Sequence, residues 1–241
     1  PFLNKPAGSA FTADDIDFKA YASIGAELLI AGTYTVAEDG VITLEISLFD
    51  VVRKTPLTSA TLKGGKGEFR YLMHRFADEV LREETGEKGP FEARIAFVAQ
   101  RTGNNEIYTC DTDGYNMIQV TSNKSINISP SWGPDSKTLV YTSYILGSPD
   151  IFALDISGGK PMFIAGKGGL NIGAEWSPAN GKIVFASSNN SEQDLEIYTV
   201  SPDGKNLHRI THSWGIDVSP TWSPDGRHIA FISSRYGNKP Q

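Results

Sequence analysis

Two groups of residues have types and spacings that could bind a metal ion. His208 and His212 are four residues apart, a spacing that places two ligands on one face of a helix. They fall in a predicted strand and the turn after it, so we interpret both as surface residues. The segment from Asp111 to Gly114 resembles the start of a calcium loop, but Ser122 stands where the bidentate acid belongs. A hairpin turn accounts for this segment better.

The signatures of the common catalytic sites do not occur in the sequence. It contains no Gly-x-Ser-x-Gly elbow, no His-Glu-x-x-His pair and no phosphate-binding Gly-x-x-x-x-Gly-Lys loop. Cys110 is the only cysteine, so neither an intrachain disulfide nor a cysteine-rich metal site can form. We therefore predict no catalytic residue, no metal site and no cofactor.

Composition narrows the classes of partner. The 241 residues include 22 Lys and Arg against 28 Asp and Glu, a formal net charge of −6. No basic cluster stands out, and nucleic-acid binding needs a cationic footprint, so no nucleic-acid partner is expected. The sequence has no apolar run long enough for a membrane span and no signal peptide. It opens at Pro1 without a methionine, which indicates a processed, cut or partly observed chain.

A repeat dominates the second half of the chain. Trp132, Trp176 and Trp222 are spaced by 44 and 46 residues, in related contexts such as Ser-Pro-Thr-Trp-Ser-Pro-Asp-Gly at 219–226. Each repeat holds about four short apolar runs separated by turn dipeptides such as Asp203-Gly204. A period near 44 with four strands predicts the blades of a β-propeller. A helical solenoid would need Ala- and Leu-rich runs of ten or more residues, and none occurs.

The blades in this chain do not make a closed ring. Residues 95–122 predict three strands, 129–166 and 174–212 predict two whole blades, and 219–234 begin another. A chain that stops at Gln241 cannot close by itself, and open blades leave unpaired edges. We therefore expect residues 1–241 in isolation to aggregate or dimerise. The three repeated tryptophans are expected to pack between blades rather than stack on a ligand.

The first ninety residues show no repeat and predict a small α+β domain. Alternating apolar residues from Ile42 to Leu48 indicate a strand with one buried face, and apolar residues at helical spacing after Glu68 indicate a helix that covers the sheet. The predicted elements are a short helix from Asp14 to Gly25 capped by Thr12 or Asp14, strands at Leu28–Val36, Val41–Phe49 and Leu57–Leu62, and a helix from Glu68 to Glu84. Gly86–Pro90 forms the linker. We thus predict an α+β domain at 1–90 and a partial propeller at 91–241.

The order of these elements and their junction resemble the TolB family. The resemblance is carried by the Trp-Ser-Pro-Asp-Gly repeat and, more specifically, by Asp78-Glu-Val80, Thr85-Gly-Glu-Lys-Gly-Pro-Phe91, Arg94-Ile-Ala-Phe-Val98 and Asp113-Gly-Tyr-Asn116. It covers nearly the whole chain and departs at both ends. It implies a six-bladed propeller of which half is missing here. It also implies a segment before Pro1 that engages TolA.

The resemblance also implies a function. TolB-like proteins are non-enzymatic periplasmic scaffolds of the Tol-Pal system that bind the peptidoglycan-associated lipoprotein Pal over one propeller face. They support outer-membrane integrity and cell division, and they are peripheral to the membrane through their partners only.

The loops that enter the tryptophan strands are the candidate partner site. Each sets apolar side chains around a polar one, a mix that suits a protein interface; alternatively, the isoleucines tuck between blades. The candidate residues are Ile126, Asn127, Ile128, Leu170, Asn171, Ile172, Gly173, Ile216, Asp217 and Val218. The resemblance favours the interface, because the matching loops of the family face Pal. Our hypothesis is that Asn127, Asn171 and Asp217 hydrogen-bond Pal around the channel mouth.

Two enzymatic alternatives remain open. Similar propellers precede the catalytic domain of prolyl-oligopeptidase-like hydrolases, although the α+β domain in front argues against that class. A sugar- or metal-binding propeller lyase would need converging acids or histidines in its channel, which the predicted blades do not show.

Overall fold

The computed structural model describes residues 12–166, 168–188, 194–237 and 239–241. The chain divides into two compact units. The first extends to Arg94 and includes Asp111–Asp113, and the second contains the rest of the chain from Ile95 onward. The division falls four residues after the boundary predicted from the linker.

The first unit is built on a three-stranded antiparallel sheet in the order β1-β2-β3. The strands are β1 (Leu28–Val36), β2 (Ile42–Asp50) and β3 (Thr55–Gly64), preceded by the short helix α1 (Phe18–Ser23) and followed by α2 (Phe69–Thr85). The alternation predicted in β2 is present: Ile42, Leu44, Ile46 and Leu48 are buried and pack with Leu72 and Phe76 of α2. The helix therefore covers one face of the sheet, as its apolar spacing predicts.

The predicted first helix is interrupted. A 3-10 turn at Ala13–Asp15 is capped by Thr12, whose backbone N–H donates to Asp15 Oδ2 at 2.8 Å. The α-helix begins only at Phe18, and its cap is Asp17, whose carboxylate accepts from the Ala20 N–H at 3.1 Å. Ile16 between them is extended and buried. The expectation of a single helix capped by Thr12 or Asp14 is corrected accordingly.

The junction after α2 is held by a buried carboxylate. The helix ends at Thr85, and Gly86 takes the left-handed conformation (φ 77°) that favours glycine. The chain then returns to Asp78, which is buried and accepts the N–H groups of Phe91 at 2.8 Å and Glu92 at 3.1 Å. A Cβ at Gly89 would lie 2.2 Å from Asp78 Oδ1, so this close approach requires glycine.

The second unit consists of four consecutive antiparallel sheets, which are propeller blades. Blade 1 has β4 (Arg94–Ala99), β5 (Glu106–Asp111) and β6 (Ile118–Gln119). Blade 2 has β7 (Asn127–Trp132), β8 (Thr138–Ser143), β9 (Asp150–Asp155) and β10 (Met162–Ala165). Blade 3 has β11 (Asn171–Trp176), β12 (Ile183–Ser187), β13 (Glu196–Val200) and β14 (His208–Arg209), and blade 4 has β15 (Asp217–Trp222) and β16 (Ile229–Ser233). This is the predicted series of one three-stranded blade, two whole blades and the start of another.

The inner strand of blades 2, 3 and 4 carries an irregularity at the same position. The pairing register with the second strand shifts after Ile128, Ile172 and Val218. The next residue in each case has a positive φ: 53° at Ser129, 64° at Gly173 and 52° at Ser219. Two blades thus place serine where glycine is conformationally easier.

The repeated tryptophans contribute to the clusters between blades. Trp176 packs against a cluster that joins Val140 and Ile151 of blade 2 to Ile183 and Phe185 of blade 3. Trp132 packs with the cluster between blades 1 and 2, and Trp222 with the cluster between blades 3 and 4. Each tryptophan therefore lies between neighbouring blades, as predicted.

The packing of Trp176 gives a stability prediction with an internal control. Replacing a buried large aromatic by alanine costs roughly 3–5 kcal/mol, and we expect the lower end, about 3 kcal/mol, for the partly buried Trp176. Trp214 is 92% exposed, so Trp214→Ala should change the free energy of unfolding by less than about 0.5 kcal/mol. Urea unfolding of both variants measures the difference. Equal losses would show that Trp176 does not join the blades.

Candidate partner-binding site

The strand directions place two sets of loops on one face of the second unit. Within a blade, Asn127 at the start of β7 pairs with Ser143 at the end of β8, which pairs with Asp150 at the start of β9. Loops before inner strands and loops between second and third strands therefore share a face. We call this the start face; its loops include 121–126, 144–149, 168–170, 211–216, 234–237 and 239–240. The opposite face carries the turns after the inner strands.

The first residue of each inner strand is fixed by a buried hydrogen bond. Ser143 Oγ donates to Asn127 Oδ1 at 2.7 Å. The same bond joins Ser187 to Asn171 at 2.7 Å and Ser233 to Asp217 at 2.6 Å. In each blade the two partners are 16 residues apart, and Asn127, Asn171 and Asp217 are all buried. We call this contact the blade pin.

The same three residues link each blade to the one before it. Their backbone N–H groups donate to carbonyl oxygens 22 residues upstream, which are those of Asn105 at 2.9 Å, Pro149 at 3.2 Å and Leu195 at 2.7 Å. The Asn171 side-chain amide adds a bond to the Pro149 carbonyl at 3.1 Å. A buried polar group is tolerated when it is hydrogen-bonded, and here each one joins two blades.

Buried carboxylates fix the loops that lead into the pins. Glu196, at the start of β13, accepts the Ser213 N–H at 2.8 Å, the Arg209 guanidinium at 2.6 Å and the Thr211 hydroxyl. Glu106, at the equivalent position of β5, accepts the Thr121 hydroxyl at 2.6 Å and the Lys124 N–H at 3.0 Å. The conformations of loops 121–126 and 211–216 are therefore set from inside the protein.

This geometry replaces the hypothesis that Asn127, Asn171 and Asp217 hydrogen-bond a partner. All three side chains are buried and their polar atoms are used within the chain, so a partner at the surface cannot reach them. Arginine at these positions would remove the pins as well as any interface, so they cannot test binding. Whether the surrounding loops bind a partner stays a prediction.

The apolar candidates separate into two groups. Ile126, Leu170 and Ile216, which precede the pins, are each 46% exposed on the start face. Ile172 and Val218, which follow the pins, pack between blades 3 and 4, and Ile128 and Gly173 are half-buried. The packing interpretation therefore holds for Ile172 and Val218, and the interface interpretation stays a prediction for the exposed Ile126, Leu170 and Ile216.

Four further exposed residues on the start face were not predicted. Ile145, Leu146, Trp214 and Tyr236 are exposed in its loops. The signal available in the sequence was an Ile-Leu pair within a loop that ends in Gly-Ser-Pro, and a tryptophan outside the repeated position. Together with the first group they make the start face apolar at several loops.

Asp217 differs from the other two pin residues because it is ionisable. Burial acts to raise its pKa, but the hydrogen bond from Ser233 and the charge and hydrogen bond of Arg235 outweigh burial, and the pKa lies below its usual value of 3.8. Arg235 donates to Asp217 Oδ2 at 2.7 Å. Blade 4 therefore uses a charged pin where blades 2 and 3 use a neutral amide.

Neither a metal centre nor a spanning helix is found in the part of the chain that the structure describes. No three His, Cys, Asp or Glu side chains among residues 12–166, 168–188, 194–237 and 239–241 are placed to hold a metal ion. Within the same residues, no helix has the length and hydropathy needed to cross a membrane.

The lowered pKa of Asp217 gives a pH prediction. A carboxylate with a folded-state pKa below its unfolded value stabilises the fold above the unfolded pKa, and this stabilisation is lost as pH falls through the folded value. Asp217→Asn, which copies the other pins, should reduce the free energy of unfolding at pH 6 by roughly 1.5–3 kcal/mol, the range for a hydrogen bond to a charged group. The deficit should shrink below about pH 4, near the unfolded pKa of Asp. Denaturant titrations from pH 6 to pH 3 measure it, and a deficit independent of pH would show that the charge is not the cause.

Comparison with known protein families identifies both parts of the chain. Residues 82–241 match the TolB beta propeller domain, and residues 3–57 match the TolB amino-terminal domain. A crystal structure of TolB from Acinetobacter baumannii superposes with a TM-score of 0.83 at 28% identity, covering 100% of this chain and 59% of that one.

Curated relatives agree with these matches. A protein TolB homolog from Chlorobium chlorochromatii is 36% identical over 98% of this chain and 52% of its own length. A Tol-Pal system protein TolB from Desulfosudis oleivorans is 42% identical over 89% of this chain and 48% of its own length. The chain thus spans about half the length of these relatives. The propeller match alone covers more than half of the chain and confirms the resemblance of its sequence: the chain belongs to the TolB family.

Proposed function

We propose that this protein is a non-enzymatic periplasmic scaffold of the Tol-Pal system. In this proposal it binds the lipoprotein Pal through the start face and supports outer-membrane integrity and cell division. A TolA-like protein is the second partner, engaged through a segment before Pro1. Family membership and the Tol-Pal names of its relatives support this proposal, and the geometry of the start face supports Pal binding.

The observation that carries the proposal is the repeated exposure of three apolar side chains. Ile126, Leu170 and Ile216 are each 46% exposed, although their neighbours in sequence are buried pins. Burying apolar surface stabilises a fold by roughly 25 cal/mol per Å². An apolar side chain that stays exposed in each blade does not contribute this stabilisation, so the fold itself does not explain the repeated exposure. Contiguous exposed apolar surface rimmed by polar groups marks interaction sites.

The pins also hold the loops in place before any partner binds, which favours an interface. The Ile126 carbonyl accepts the Tyr144 N–H at 2.9 Å, and the equivalent bonds are Ser188 to Leu170 at 2.9 Å and Ser234 to Ile216 at 3.0 Å. Each apolar residue is therefore held on both sides, by its own backbone and by the pin after it. Pre-ordered side chains lose less entropy on association.

The described residues carry no feature that favours either enzymatic alternative. Among them, the only carboxylates that cluster at the start face are the buried ones that hold the loops. These carboxylates accept hydrogen bonds from the loops, so their role is structural.

The interface is tested by three aspartate substitutions on the start face. The triple variant Ile126→Asp, Leu170→Asp and Ile216→Asp should bind the soluble domain of the organism's own Pal-like lipoprotein at least tenfold more weakly, about 1.4 kcal/mol, because charges would be buried against an apolar centre. Isothermal calorimetry gives the affinities, and circular dichroism confirms the fold.

A matched control places the same change on the opposite side of the strands. Ile118, Met162 and Leu207 are comparably exposed and lie in or next to the outer strands, near the turns between third and outer strands. Their triple aspartate variant should bind as the unsubstituted chain does. Equal weakening by both variants, or by neither, would place the Pal site elsewhere. Absence of binding by the unsubstituted chain would contradict the proposed function itself.

A further inference from the structure

Trp214 is set apart from the other tryptophans by its exposure. It is 92% exposed, whereas Trp132, Trp176 and Trp222 are partly buried and pack in the clusters between blades. The indole of tryptophan is a large apolar group that buries much surface on contact. Among the residues of protein–protein interfaces that contribute most of the binding energy, tryptophan is enriched. This one contributes nothing visible to the core.

The fold does not require tryptophan at this position. Counting back from the pin residue, Trp214 is three residues before Asp217, and the same position in the other blades is Lys124 before Asn127 and Gly168 before Asn171. Since the loop accepts a cation in one blade and no side chain in another, an aromatic is not needed to form it. The structure of the repeat therefore does not explain why this position carries a tryptophan.

The loop that presents Trp214 is hydrogen-bonded on both sides of the tryptophan. On one side, the Ser213 N–H donates to Glu196 Oε1 at 2.8 Å and its hydroxyl to Asp217 Oδ2 at 3.2 Å. On the other side, the Ile216 N–H donates to Ser234 Oγ at 2.8 Å. A Cβ at Gly215 would lie 2.8 Å from the same Ser234 oxygen, so the loop packs closely there. The indole is thus held in solvent by a fixed backbone.

The charges of the start face indicate the chemistry of its partner. Among the described residues of this face, Arg101, Lys124 and Lys239 are exposed cations, whereas Arg235 is paired with the buried Asp217 at 2.7 Å and Asp194 is half-buried. Exposed cations therefore outnumber exposed acids in the described part of the face, although the chain has a net charge of −6. A complementary partner surface is acidic.

We propose that Trp214 is the aromatic anchor of the start face, and that it inserts into an apolar pocket rimmed by carboxylates on a folded protein partner. This inference rests on the proposed function, which names Pal as that partner, and adds the residue that dominates the contact. A rigid loop that presents one large side chain suits a pocket in a folded protein better than a fluid lipid surface.

Fluorine NMR tests the contact directly. The chain has four tryptophans, so labelling with 5-fluorotryptophan gives four resonances, and the one missing from Trp214→Phe is that of Trp214. On addition of the soluble Pal-like domain, this resonance should shift and lose its H₂O/D₂O isotope shift, while the other three keep theirs. A bound complex in which the Trp214 resonance stays solvent-exposed would overturn the anchor and leave the proposed function standing.

Affinity measurements test the energetic claim. Trp214→Ala should weaken binding of the Pal-like domain by at least about 30-fold, the threshold of a binding hot spot, with Trp214→Phe intermediate and Leu207→Ala unchanged. Raising the salt concentration should weaken binding by the unsubstituted chain. A Trp214→Ala variant that binds as tightly as the unsubstituted chain, while the aspartate triple variant does not, would refute the anchor alone. Failure of the unsubstituted chain to bind would refute both proposals.

A vesicle assay separates a protein partner from a membrane. Vesicles of phosphatidylethanolamine and phosphatidylglycerol should not retain the protein in co-sedimentation, with or without Trp214. Retention that is lost in Trp214→Ala, with unchanged affinity for the Pal-like domain, would identify Trp214 as a membrane anchor and overturn the proposal.

Discussion

The blade pin is the interaction on which the second unit depends. Successive blades are separate sheets, so the ladder of one blade does not continue into the next. The residue at the start of each inner strand bridges this gap: its side chain accepts a serine hydroxyl of its own blade, and its N–H donates to the blade before it. Because these groups are buried, leaving one unpaired would cost roughly 1–3 kcal/mol. The spacing of 16 and 22 residues is therefore a structural constraint on blades 2, 3 and 4.

The pins allow the loops between them to vary. The position three residues before the pin is Lys124, Gly168 and Trp214 in successive blades, yet the inner strand that follows begins in the same way each time. Different residues thus hold the loops and determine their surface chemistry. The buried polar groups of the pins hold the backbone of the loops, and the exposed side chains can differ between blades without altering the fold.

The sequence predicts the blades well because their signals are periodic. The tryptophan strands and the strands after them recur at 44 and 46 residues, and each lies where its repeat places it. The roles of Asn127, Asn171 and Asp217 were not predictable from their neighbours, because a polar residue among isoleucines has the same pattern whether it is a buried pin or an interface contact. The missing information is the partner serine 16 residues on, which only the strand register brings into contact. Likewise, Ile16 interrupts the first helix because it is buried with Phe18 and Phe49, a tertiary effect that local helix signals do not contain.

The charged pin lies next to the candidate anchor, because Asp217 follows Trp214 by three residues. In blades 2 and 3 the pin is a neutral amide, but in blade 4 it is Asp217, which requires a compensating cation because it is buried. Arg235 supplies the charge and lies over the Phe231 ring at 5.3 Å, and this draws the loop after β16 toward the loop of Trp214. The charged pin thus joins two start-face loops that a neutral pin would link only through Ser234. The backbone on both sides of Trp214 is thus tied to neighbouring groups by hydrogen bonds, which lowers the entropy lost when the indole is buried by a partner and is the physical reason to assign the anchor to blade 4.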